Sequence, residues 1–78
     1  MNYIFLDNGF EEIEAITTID LLRRANIALT TISVTGQAMV TGAHDIIVKA
    51  DALFVDADFS DAEMLILPGG ATKLHECK

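Results

Sequence analysis

The sequence predicts an α/β domain built on a mostly parallel sheet. Two unbroken apolar runs, Tyr3-Ile4-Phe5-Leu6 and Met64-Leu65-Ile66-Leu67, read as strands covered on both faces. An amphipathic stretch over Glu11–Ala25 and a β-branched stretch over Ile27–Val34 follow the first run at the spacing of a strand–helix–strand unit. Such a unit crosses over right-handedly and makes its two strands parallel. The second apolar run stops at Pro68-Gly69-Gly70, where proline cannot donate to a ladder and glycine lets the backbone turn sharply.

In order along the chain, Tyr3–Leu6 is a central, buried strand. Asp7-Asn8-Gly9 is the turn at its carboxyl end, where open α/β sheets place ligands. The helix over Glu11–Ala25 opens with Glu11, Glu12 and Glu14 and closes with Arg23 and Arg24, matching the helix dipole at both ends. Asn26 suits the residue just past its end. At 100° per residue, Ala15, Ile16, Ile19 and Leu22 share the arc expected on the sheet. Glu14, Thr18, Leu21 and Ala25 form a second face that is not fully polar, and a subunit interface is expected there. Ile27–Val34 is the second strand. Ala38–Thr41 and Ile46–Val48 flank Gly42 as a hairpin-like excursion at the sheet edge. Asp51, Asp56, Asp58, Asp61 and Glu63, with Asp45 upstream, suggest a solvated connection rather than a metal cage. Met64–Leu67 is the next buried strand. Thr72 then offers an N-cap for a helix through Lys73, Leu74 and His75.

Composition narrows the function classes. The chain has 78 residues, 51% of them hydrophobic, and a net charge of −7. Acidity of that size, without a basic run, argues against nucleic-acid and anionic-membrane surfaces. No apolar run approaches the roughly 20 residues of a membrane helix. The single cysteine leaves no internal disulfide framework, and the start lacks the charged region of a signal peptide. A soluble cytoplasmic protein is expected. So much apolar side chain on so short a chain suggests part of a larger domain.

The chemistry-bearing residues form an incomplete site. The strand end, Gly69, Gly70 and the helix start after Thr72 suit a nest of N–H groups for an anion or oxyanion; the same residues also suit a plain turn. Glu11 and Glu12 read as solvated dipole partners. Glu14 sits one turn into the helix, off the sheet-packing arc, where partial burial and a raised pKa would suit acid–base work. His44 and His75 lack ligand-spaced partners, so no metal site is expected. Cys77 has no base, cation or helix start to activate it and reads as a bystander. No nucleophile is evident.

The motifs Asn8-Gly9-Phe10-Glu11-Glu12-Ile13-Glu14-Ala15, Asp20-Leu21-Leu22-Arg23-Arg24-Ala25, Gly42-Ala43-His44-Asp45-Ile46 with Ala50-Asp51, and Leu65-Ile66-Leu67-Pro68-Gly69-Gly70 resemble the ThiJ/PfpI family in order and spacing. That family includes the parkinsonism-associated protein deglycase and sits within the class I glutamine-amidotransferase-like superfamily. The resemblance implies a flavodoxin-like sandwich, usually a homodimer, that works without a cofactor. It implies that Glu14 hydrogen-bonds a reactive cysteine, and that Gly69 and Gly70 line that cysteine's pocket with an oxyanion-binding N–H. Family domains run to about twice this length, in the ordinary range of domain sizes, and carry their cysteine on an elbow well after the Pro-Gly-Gly turn. This chain thus resembles the N-terminal part of the domain, residues 1–78, inactive until a complementary C-terminal segment supplies the nucleophile. Activities attached to the family include glyoxalase-type conversion of a small carbonyl substrate, protein deglycation, peptidase, redox-sensing or chaperone-like stress roles, and a thiazole-monophosphate (thiamine) biosynthesis label. The Gly-Phe-Glu-Glu-Ile-Glu run lies nearer the deglycase branch.

Overall fold

A computed structural model describes residues 1–69. Gly70, the helix expected after Thr72, His75 and Cys77 lie outside the described residues. The elements are β1 (Asn2–Leu6), α1 (Glu12–Arg24), β2 (Leu29–Ser33), β3 (Met39–Thr41), β4 (Ile47–Lys49), β5 (Ala52–Leu53), a single 3-10 turn (Phe54–Asp56) and β6 (Met64–Ile66). Four strands form a parallel sheet in the order β5-β2-β1-β6. β1 is central, as its apolar run demands. Its register sets Ile4 beside Thr31 and Ile66, and Phe5 beside Ile32.

Strand alternation then divides the side chains between two faces. On one face Ile4, Leu6 and Leu29 pack with Phe10, Ala15, Val40 and Ala50 into the main core, with Ile19, Leu22, Val48 and Ile66 against it. On the other face Tyr3 and Phe5 meet Phe59 edge-on, with ring centroids 4.9 and 5.4 Å away. Phe54 stacks obliquely on Phe59 at 5.4 Å. The Tyr3 hydroxyl donates to Asp61 Oδ1 at 2.6 Å, which fastens the 58–61 segment to β1. That hydrogen bond, with burial and the charges of Asp61 and Asp58, pushes the Tyr3 phenol up to about 12.

Several expectations change here. The residues over 50–63 are not merely a solvated connection. Asp51 accepts Thr31 N–H at 3.0 Å and Arg23 Nη2 at 2.9 Å, steering the chain into β5 beside β2. Burial alone would raise the Asp51 carboxyl, but the Thr31 hydrogen bonds and the Arg23 guanidinium outweigh it and hold it below the usual range. A two-residue strand is too short to show a pattern, and the surrounding acids conceal it. Ile16 is 40% exposed, so it falls outside the packing arc. It sits at the rim of that arc, 100° on from Ala15, while Glu12 takes a place within it. β3 and β4 pair antiparallel as a separate two-stranded ribbon rather than a sheet-edge excursion, because Val40 is drawn fully into the core. β6 is the outer strand of the described sheet, and Leu65 on it is exposed among the described residues.

The helix ends are well specified. Glu11 is the N-cap, its carboxylate accepting Ile13 N–H at 3.2 Å. At the other end Asn26 takes φ 61°, Ile27 N–H donates to Leu22 O at 2.9 Å, and Asn26 N–H donates to Arg23 O at 3.1 Å. This is the Schellman closure expected of an asparagine just past a helix. It consumes Ile27 and Ala28, which is why β2 begins at Leu29 and not at Ile27.

Candidate functional site

The candidate site lies where the first two turns of α1 face the carboxyl end of β6. Asp7-Asn8-Gly9 turns the chain out of β1, with Phe10 N–H donating to Asp7 O at 3.1 Å and Gly9 at φ 89°. That is the third turn position, where a type II turn requires positive φ. The helix then starts beside the Pro68-Gly69 turn, and Glu11 N–H donates to Gly69 O at 2.9 Å. This bond ties the Gly69 backbone to the start of α1.

Glu14 projects toward the same turn. A Cβ built on Gly69 would collide with the Glu14 carboxylate, so glycine leaves the space that the acid uses. Glu14, Ile13, Thr17 and Thr18 line one side of a cavity of about 470 Å³, and Ile66, Leu67, Pro68 and Gly69 line the other. The structure therefore brings together two of the three predicted site residues, Glu14 and Gly69. Gly70 lies outside the described residues, as does any N–H nest beyond it. Glu14 is exposed among the described residues, not partly buried as expected. Thr17 and Thr18 are site residues that the sequence reading does not name as such, Thr18 being expected on the interface face. Their spacing of three and four from Glu14 was the available signal, since those positions share a helix face.

Glu12 departs furthest from its sequence reading. It is 4% exposed rather than solvated. Its Oε2 accepts His44 N–H at 2.6 Å and Ile46 N–H at 3.4 Å, and its Oε1 lies 3.0 Å from His44 Nδ1. An ionised carboxylate only accepts, so His44 Nδ1 carries the proton in that contact. Burial alone would raise the Glu12 carboxyl. The hydrogen bonds from the His44 ring and from backbone N–H groups outweigh burial and hold it at about 2. The same hydrogen bond, reinforced by the charges of Glu12, Glu11 and Asp45, raises the His44 pKa. Glu11 also brings a carboxylate oxygen to this cluster, all three donor atoms lying within 4.8 Å of one another. Glu12 is already engaged by N–H groups, so the cluster reads as a Glu12–His44 hydrogen-bonded pair with Glu11 beside it. Among the described residues, no buried side-chain polar atom lacks a partner, and no helix is long and apolar enough to cross a membrane.

Comparison with known proteins places this arrangement. The family model described as the DJ-1/PfpI family matches residues 2–78. Protein DJ-1 homolog B of Arabidopsis thaliana is 38% identical over 74 residues, covering 91% of this chain and 17% of the homolog. A DJ-1 superfamily protein of Salmonella typhimurium, solved with a cysteine replaced by alanine, is 36% identical with a TM-score of 0.84. That match covers 90% of this chain and 38% of the solved one. Toxoplasma gondii DJ-1, solved in an oxidized form, is 32% identical with a TM-score of 0.83, covering 87% of this chain and 37% of the other. The chain spans well under half of each relative, and over that span it shares their mostly parallel α/β architecture. The chain belongs to the DJ-1/PfpI family.

Proposed function

We propose that this chain supplies the carboxylate half of a cysteine-dependent site that acts on small carbonyl compounds or their protein adducts, in the manner of a glyoxalase or protein deglycase. The observation that carries this reading is Glu14 set against Gly69 across an open cavity. Family membership and the short span relative to the relatives support a nucleophile on a complementary segment beyond residue 78. In this reading the thiolate adds to the carbonyl carbon. A C–S bond forms and the C=O electron pair moves onto oxygen, which takes a proton. Glu14 holds or passes a proton beside the sulfur, and backbone N–H groups near Gly69 and Gly70 stabilise the developing oxyanion. Conversion of methylglyoxal and water to lactate oxidises the aldehyde carbon and reduces its neighbour, so the net reaction calls for no external oxidant or cofactor.

The test is methylglyoxal turnover by the complete protein beside Glu14→Ala. Loss of a positioned acid–base group costs about 10²–10⁴-fold in rate, and a fall of that order is expected. Equal rates would remove Glu14 from the mechanism. A second reading, a redox sensor or chaperone-like stress protein using the same cysteine, is favoured by the oxidized Toxoplasma relative. Mild peroxide followed by intact mass separates the two: stoichiometric cysteine oxidation without turnover supports the sensor.

Partner surfaces belong to the same proposal. Leu21 and Ala25 are exposed on the face opposite the sheet, available to a second copy in a homodimer. Leu65 on β6 is open to the segment that would complete the domain.

A further inference from the structure

The 8–12 segment is fastened on two sides. Toward the β3–β4 ribbon, Gly9 N–H donates to Thr41 O at 2.8 Å, and Thr41 N–H donates to Asn8 Oδ1 at 3.1 Å. Ala43 N–H donates to Phe10 O at 2.9 Å, and the Glu12 carboxylate gathers the N–H groups of His44 and Ile46 together with the His44 ring. Toward the candidate site, Glu11 N–H holds Gly69 O. Glu12 and Glu14 are two residues apart in the same helical turn but face different neighbours, Gly42 and Gly69 respectively. Any shift of the ribbon turn that moves the start of α1 therefore moves Glu14 against Gly69.

One contact in this fastening involves a histidine, the side chain whose ordinary value lies nearest neutrality: His44 with Glu12. Glu12 is buried and committed, whereas the His44 side chain is 73% exposed and free to exchange its proton with water. Among the described residues, the titratable groups facing His44 are Glu12 from α1, Glu11 at its N-cap and Asp45 from its own turn, and all three are acids.

We propose that His44 and Glu12 form a proton-dependent clip that fixes the β3–β4 turn on the start of α1 and thereby positions Glu14 at the Gly69 turn. The inference deepens the proposed function and its catalytic consequence rests on that reading, but the clip has a readout of its own. His44 is a positioning residue here, since it touches Glu12 and not the cavity. The sign follows from the direction of its shift. A histidine raised in the folded state contributes fully below its ordinary value of 6.5 and loses the contribution as pH rises through the folded value. The clip is closed below pH 6.5 and loosens as pH rises through the folded value, which lies above 6.5.

The experiment is NMR on the complete protein, following the His44 ring and the Glu14 side-chain carboxyl carbon from pH 5 to 10, with His44→Asn and Glu12→Gln beside wild type. Asparagine keeps an uncharged donor near the Nδ1 position at every pH. The expected result is a His44 midpoint above 6.5 that moves down in Glu12→Gln. A Glu14 inflection at the same midpoint should be lost in His44→Asn. A His44 midpoint indifferent to Glu12→Gln, or a Glu14 signal that ignores the His44 titration, overturns the clip. Failure of the functional reading is distinguishable, because it shows as absent turnover in wild type with the coupled inflections intact.

Discussion

Glu12 and Glu14 occupy one helical turn and do different work, and glycine substitutions opposite each separate them. A methyl group at Gly69 meets only the free end of the Glu14 side chain, which can swing aside. Gly69→Ala is expected to cost little stability, within about 0.5 kcal/mol as for most accessible sites, while turnover falls because the acid is displaced. A methyl group at Gly42 meets the Glu12 carboxylate, which three N–H groups hold in place. Gly42→Ala should therefore lower the melting temperature and release the His44 titration toward its ordinary value. Thermal melts of both variants, with turnover of the first, check the contrast. Glu14 was legible in the sequence because its motif and its place after a site-facing turn both point to it. Glu12 was not, because its partners are the N–H groups of His44 and Ile46, more than a helix length away in the chain. Two neighbouring glutamates at a helix start look alike until the fold decides which one is buried.

At the scale of elements, α1 and its exit were readable and the strands around it only partly so. Acidic first turn, basic last turn and Asn26 together fix the helix, and the Schellman closure at Asn26 is open to test. Replacing Asn26 by a β-branched residue such as Val forces an unfavourable left-handed backbone, at a cost of roughly 1–2 kcal/mol, whereas Asn26→Gly keeps the closure. Denaturant melts should rank Gly at or above Asn and Val well below. β5 escaped sequence reading because a two-residue strand has no periodicity, and its pairing with β2 depends on Asp51 reaching Thr31 and Arg23. The ribbon of β3 and β4 was foreseen as a pair, but not its seat under the core. A single residue, Val40, decides that placement by burying its side chain completely.

For the whole molecule, the two faces of the sheet tell different stories. The α1 face is closed around Ile4, Leu6 and Val40, while the opposite face is covered in part by Phe54 and Phe59 and leaves Leu65 open. Ile32 is 1% exposed in the centre of that sheet. Its truncation to alanine should cost about 2–5 kcal/mol, a large share of the 5–15 kcal/mol that stabilises an ordinary domain. Urea unfolding of the complete protein measures it. The sequence showed the α/β class and the parallel order because uninterrupted apolar runs and helix spacing are strong signals. Of the candidate site, Glu14 and the Pro68-Gly69 turn were legible, and the fold sets the two face to face. The most direct test is the pH dependence of cysteine alkylation in the complete protein, mapped by mass spectrometry, for wild type and Glu14→Gln. A carboxyl group hydrogen-bonded to the reactive thiol must alter its ionisation. The expected result is one cysteine beyond residue 78 whose alkylation midpoint moves when Glu14 is neutralised, with other cysteines unchanged. Superimposable curves for every cysteine would contradict the claim that Glu14 and Gly69 form the carboxylate half of a cysteine site.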